Sequence, residues 1–266
     1  MKYSTLGFSL ILLFCVSTAK AVTLTLNTQD FPPFTYLQDD QVAGPGAELV
    51  MLICQTAKFD CAMNLMDWKQ AQQQARDKQV DGLFVIGWNE KRSEWLHYSL
   101  PIITTQYGFF VHQDNPKTYG TISSFSNHYI GVFGPSNTSK SLEQIQKAVP
   151  SITISMAPDD LVSFQMLSDG KVEAVYSNRD VGLAILKELN IRNVKYAWQH
   201  KSINYYVGFV KHHTSRRHIN DFNKALKSVY VSGEAQKVLS KYNIDSPIQS
   251  REATENPEAE LSLTAN

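Results

Sequence analysis

Charge of one sign is what this chain lacks first. Lys and Arg number 25, Asp and Glu number 25, and the formal net charge is zero. That balance excludes the basic footprint with which a protein neutralises nucleic-acid phosphates, so no nucleic acid is expected as a partner. Cysteine is scarce too, at three in 266 residues. Cys54 and Cys61 have no histidine close by in the sequence, which makes a poor donor set for zinc. Neither a metal nor a cofactor is expected. Long apolar runs are missing as well: no stretch reaches the ~20 residues that a membrane span needs.

The first 21 residues stand apart from the rest. Lys2 supplies a positive end, Phe8 to Val16 an apolar run, and Ala19-Lys20-Ala21 a small-x-small site. These are the parts of a cleavable signal peptide, with cleavage near Ala21. A retained N-terminal anchor is the alternative. Cys15 follows Leu13-Phe14, whereas a lipoprotein signal has a small residue before its cysteine. Losing the segment removes Lys2 and Lys20 and leaves a mature chain near −2, with 25 acidic residues still present. It also leaves Cys54 and Cys61 as an even pair in a compartment that permits disulfides. Two buried free thiols are the alternative.

What is present is an alternation of short strands and helices. Val22 to Asn27 reads as a strand of β-branched and leucine residues, and Pro45 to Thr56 as a helix with Leu49, Leu52 and Ile53 on one face. A strand over Cys61–Leu65, a helix over Lys69–Lys78 and a buried strand over Leu83–Ile86 follow. Tyr107 to His112 is a further strand, and the break at Asp114-Asn115-Pro116 is where the chain is expected to leave the first unit. A second unit repeats the pattern: strands at Tyr129–Phe133, Ser151–Ser155 and after Gly170, and helices over Lys140–Val149, Pro158–Ser168 and Val181–Leu189. Two more strands, Val194–Trp198 and Ile203–Lys211, precede two closing helices. Alternation of this kind builds parallel α/β lobes, and 266 residues permit two small cores. The tail from Asp245 carries Pro247, Pro257 and four glutamates with few large apolar groups, and is expected to be disordered.

In open α/β sheets, ligands bind beyond the carboxyl ends of strands. Three strand ends are therefore of interest. The first is Gly87-Trp88-Asn89 with Arg92 close behind, whose guanidinium offers a planar fork to a carboxylate. The bland reading of Arg92 is a solvated arginine near Glu90 or Glu94. Trp68, just past another strand end, either lines a cleft or packs. The loop from Gly134 to Ser139 opens a helix with free backbone amides, an acceptor site or an ordinary cap by Thr138 or Ser139.

Taken together, Asp81-Gly82, Arg92 and Ser99-x-Pro101, the Asp30–Tyr36 loop, the Gly134–Ser139 loop, the strand end at Asn178 and the closing Lys241-Tyr242-Asn243 resemble the signature of the family 3 bacterial extracellular solute-binding proteins. The resemblance runs from about Val22 to Asn243. It implies a two-lobe periplasmic binding protein of the venus-flytrap type II, each lobe a mostly parallel sheet flanked by helices. Lobe 1 would comprise residues 22–112 and 206–244, and lobe 2 residues 113–205. By that resemblance Arg92 grips the ligand's carboxylate, Phe31 and Phe34 cover the ligand, and Ser136, Asn137 and Thr138 contact it from lobe 2. The Asn178 position usually carries an acid that holds an α-ammonium group. Asparagine removes that charge, and Asp180 either substitutes or caps the next helix. Gly87, Trp88 and Asn89 stand where serine and threonine are usual. The implied function is capture of a small polar, carboxylate-bearing solute in the periplasm and delivery to ABC importer membrane subunits. A membrane sensor is the alternative partner and a dehydratase-type enzyme a further alternative. A monomer that is not an enzyme is expected.

Overall fold

The computed structural model describes residues 22–244. The expected signal peptide and tail lie outside the described residues.

β1 (Val22–Thr28) pairs in parallel with β4 (Phe59–Leu65) along its whole length, from Val22↔Phe59 to Thr28↔Leu65. Between them run a hairpin of β2 (Tyr36–Gln38) and β3 (Gln41–Ala43), then α1 (Pro45–Ala57). Asp39 and Asp40 both have positive φ, 51° and 60°. This is the mirror-image turn whose twist suits a two-residue hairpin. α1 opens on a proline, where a missing N–H costs nothing, and buries Leu49, Val50 and Ile53. It ends at Lys58, and Cys54 is bonded to Cys61 of β4 across that turn.

α2 (Trp68–Arg76), capped by Asp67, leads to β5 (Gly82–Gly87), which is buried up to its last residue. α3 (Glu90–Ser93), β6 (Leu96–Tyr98) and β7 (Ile103–His112) follow. After a 3₁₀ turn at Ile122–Phe125 come β8 (Tyr129–Phe133), α4 (Asn137–Ala148), β9 (Thr153–Ala157), α5 (Asp160–Ser168), β10 (Ala174–Asn178) and α6 (Arg179–Glu188). β11 (Val194–Val210), α7 (Arg216–Val231) and α8 (Glu234–Lys241) complete the fold.

The sheet order is β4-β1-β5-β11-β7-β10-β8-β9, with β6 also on β11. Two parallel blocks, β4-β1-β5 and β10-β8-β9, flank a central antiparallel ribbon of β7 and β11. One feature of the ribbon differs from the sequence reading. Val194–Trp198 and Ile203–Lys211 are parts of one 17-residue strand, whose ladder on β7 is interrupted between Tyr196 and Trp198 and between Gln199 and Lys201. Bulges absorb residues that look like a loop in sequence. Within β7, Tyr107 to Val111 pair with β10 of the second block. Within β11, Tyr205 to Phe209 pair with β5 of the first block.

The first half packs α1 and α7 on the sheet, with Phe209 edge-on to Phe222 at 5.2 Å between centroids. The second half stacks Phe109 on Phe125 at 3.8 Å, closed by Tyr176 and Leu142. The Lys241-Tyr242 ending is anchored on α1. Glu48 accepts from Lys241 Nζ at 2.7 Å and from the Tyr242 hydroxyl.

Reducing Cys54–Cys61, or replacing both cysteines by serine, should lower stability by about 2.5 kcal/mol through the regained freedom of the unfolded loop. Thermal unfolding with and without reductant should show a fall of roughly 5–10 °C. An unchanged midpoint would mean that the bridge contributes nothing.

Candidate functional site

The end of β5 is set by an irregularity. Val85 has φ 53°, uncommon for a β-branched residue. It also has no partner on β11, since Ile86 faces Tyr206 while Phe84 faces Val207. The bulge needs room behind it: a Cβ on Gly46 would lie 2.3 Å from Val85 Cγ2. Beyond Gly87 the chain turns under Asn89, whose side-chain oxygen accepts from the Arg92 backbone N–H at 2.9 Å. This one-turn helix carries the Arg92 side chain back to the strand end. There Nη1 donates to the Gly87 carbonyl at 3.0 Å, and the guanidinium lies over the Trp68 ring, 5.1 Å from its centroid. Burial pushes Arg92 below its ordinary pKa. Among the described residues no carboxylate forms an ion pair with it. Most of its five donors therefore remain for an acceptor from outside the chain. Trp68 gives the guanidinium an aromatic face to rest on.

Opposite stands the start of α4. Ser136 is its cap: its Oγ accepts from the Ser139 N–H, and Ser139 Oγ accepts from the Ser136 N–H, both at 2.9 Å. The expected capping residues Thr138 and Ser139 thus lie inside the first turn, and Ser136 is engaged with its own helix. Asn137 faces Gly87 across the gap, its Nδ2 3.5 Å from where a Gly87 Cβ would stand. Thr138 interacts with the Tyr107 phenol, whose pKa is raised by burial against that interaction.

The strand end at Asn178 is a junction. Asn178 is buried, and its Oδ1 accepts from the N–H groups of Asp180 at 2.9 Å and Val181 at 3.2 Å, capping α6. The Thr105 hydroxyl sits between that oxygen, at 3.1 Å, and Asp180 Oδ2, at 2.5 Å. Asn178 Nδ2 donates to the Tyr205 hydroxyl at 3.0 Å. Asp180 also pairs with Arg179 at 3.3 Å. Both residues are therefore engaged where β7, β10 and β11 meet. Tyr205 in turn touches Phe31 and Phe34, with centroids 5.7 and 5.1 Å away.

The expected site residues thus divide. Arg92, Trp68, Asn89 and Gly87 gather at one end of the gap, with Asn137 and Thr138 facing them. Phe34 is fully buried in the core, which leaves Phe31 as the half-exposed ring of its loop. Trp88 is 59% exposed on the lip. A cleft of about 500 Å³ opens between Gly87 and Trp88 on one side and α4 on the other, with β11 residues 201–206 as its floor. Tyr107, Tyr205, Lys140 and Lys201 line it and were not singled out in the sequence. The two tyrosines lie mid-strand, where an aromatic reads as core, and the lysines read as solvated surface. Asp160 was missed as well. It opens α5, accepts from the Ser177 hydroxyl at 2.8 Å and is pushed up by burial.

Two half-sheets joined by a paired-strand ribbon, with convergent polar groups in the gap, define a two-lobe solute-binding protein of the periplasmic class. The model of the bacterial extracellular solute-binding proteins, family 3, matches residues 24–245, and the chain belongs to that family. A curated relative, the arginine-binding periplasmic protein of Mannheimia haemolytica, is 22% identical over 241 residues, 86% of this chain and 94% of the relative. Among solved structures, a histidine kinase sensor domain with similarity to periplasmic binding proteins aligns with a TM-score of 0.69 at 16% identity, over 84% of this chain and 96% of its own. An ancestral arginine-binding protein bound to arginine aligns at 0.67 and 20% identity, over 83% and 97%.

Asn178→Ala should destabilise the ligand-free protein by about 2 kcal/mol or more, since it removes a helix cap and leaves the buried Tyr205 hydroxyl without its donor. Urea unfolding measures this. Unchanged stability would show that Asn178 is not part of the junction.

Proposed function

We propose that this protein is a periplasmic solute-binding protein that closes on a small carboxylate-bearing solute and delivers it to an ABC importer. The observation that carries this reading is Arg92: a half-buried guanidinium at the carboxyl end of a parallel strand, steadied by Gly87 and Trp68 and without an acid partner among the described residues. A carboxylate there accepts two hydrogen bonds in one plane. Phe31 and Trp88 supply apolar cover, and the first turn of α4, through Asn137 and Thr138, supplies polar contacts from the second lobe. A ligand that touches both lobes favours the closed form by the difference in its contacts between the two states. The work is equilibrium binding rather than catalysis. Relatives named for arginine make amino acids the first solutes to try.

A second reading has its own support. The aligned histidine kinase sensor domain favours a co-receptor whose closed form docks on a membrane signalling protein. Stimulation of an importer's ATPase by the liganded protein would favour delivery, and dependence of a kinase on it would favour sensing.

Arg92→Ala should weaken binding of any carboxylate solute roughly 30-fold or more, as expected on removing one partner of a desolvated charge pair. Calorimetric titration measures the loss, and thermal unfolding of the ligand-free variant should stay close to that of the parent. Equal affinity in the variant would reject Arg92 as the anchor.

A further inference from the structure

Arg92 is not the only cation at the gap. Lys140 projects from α4, and Lys201 from the segment of β11 that forms the cleft floor; both line the cavity of about 500 Å³, which Arg92 does not itself line but adjoins through Gly87, the acceptor of its Nη1. No Asp or Glu is among the residues that line it. Neither lysine forms an ion pair among the described residues, whereas Lys171 and Lys241 lie 3.0 and 2.7 Å from Asp169 and Glu48. Lys201 sits over the Tyr107 ring, 5.6 Å from its centroid. Partial burial of its ammonium holds Lys201 below the ordinary lysine value. Tyr107 links the two regions, because its phenol also lies in the field of Arg92 and against Thr138. Both lysines are exposed, and like charges that line one concavity raise the local concentration of anions.

We infer that Lys140 and Lys201 form a second anion subsite, beside Arg92, that takes a second negatively charged group of the same solute. The inference rests on the reading of Arg92 as the carboxylate anchor. It narrows the solute to small molecules with two anionic groups, such as dicarboxylates, acidic amino acids or carboxylates bearing a phosphate. Ser202, Gln144 and Asn137 border the subsite and offer neutral hydrogen bonds to the same group. Asp160, an acid that the Tyr107 phenol senses, is engaged by Ser177 and does not line the cavity.

The test uses pairs that differ only in the second charge: glutamate and glutamine, aspartate and asparagine, succinate and succinamate, phosphoserine and serine. Calorimetry on the full-length mature protein should find at least one pair in which the charged member binds about tenfold tighter or more. In Lys140→Gln and Lys201→Gln that advantage should shrink to roughly threefold or less, the scale of a single screened charge. Raised salt should shrink it in the parent protein. The subsite is overturned if the neutral members bind as tightly as the charged ones, or if both lysine variants keep the full preference. Tight binding of neutral members that is lost in Arg92→Ala would reject the subsite and keep the anchor. Silence from every compound would reject both.

Discussion

Everything in this molecule hangs on the ribbon of β7 and β11. Each parallel block meets the ribbon through one antiparallel edge, β5 on β11 and β10 on β7. A ribbon shared by both halves carries buried backbone and side-chain polar groups where the blocks meet, and each of these must find a partner. Thr105, Asn178, Asp180 and Tyr205 meet that demand among themselves and with the first turn of α6. The junction therefore costs little to bury, and it ties the aromatic pair Phe31–Phe34, through Tyr205, to the end of β10.

The same constraint explains how far the sequence could be read. Alternating apolar residues marked β1, the run Leu83–Ile86 marked β5, and Asp39-Asp40 followed by Gly44 marked the hairpin, because each is set by local preferences. The pairing of Cys54 with Cys61 needed only an even count. Long-range features were hidden. Val85 looks like an ordinary strand valine, and its left-handed backbone appears only when β11 and Gly46 are packed around it. Tyr107 looks like the start of a strand, yet it is where β7 takes on β10 as a partner. Asn178 reads as a ligand contact stripped of its charge. In the fold, its carbonyl oxygen caps a helix and its amide steadies a tyrosine 27 residues away.

The electrostatics of the gap follow from these placements. Acids near it are used internally: Asp180 by Arg179 and Thr105, and Asp160 by Ser177. Arg92 has no such carboxylate partner among the described residues. Arg92 rests on a carbonyl and an aromatic face, neither of which cancels its charge. A desolvated guanidinium without an anion is unfavourable, and a solute carboxylate relieves that cost. On the proposed reading, binding affinity and selectivity would come from one source, the unequal satisfaction of acids and bases around the cleft.

The central claim, that Arg92 receives the carboxylate of a solute held between the lobes, is tested most directly by a crystal structure of the protein with its solute bound. The account predicts two roughly parallel N–H···O contacts of about 2.8 Å from Arg92 to one carboxylate, with the ligand touching the first turn of α4. A ligand seated elsewhere, with the Arg92 guanidinium facing bulk water, would contradict it.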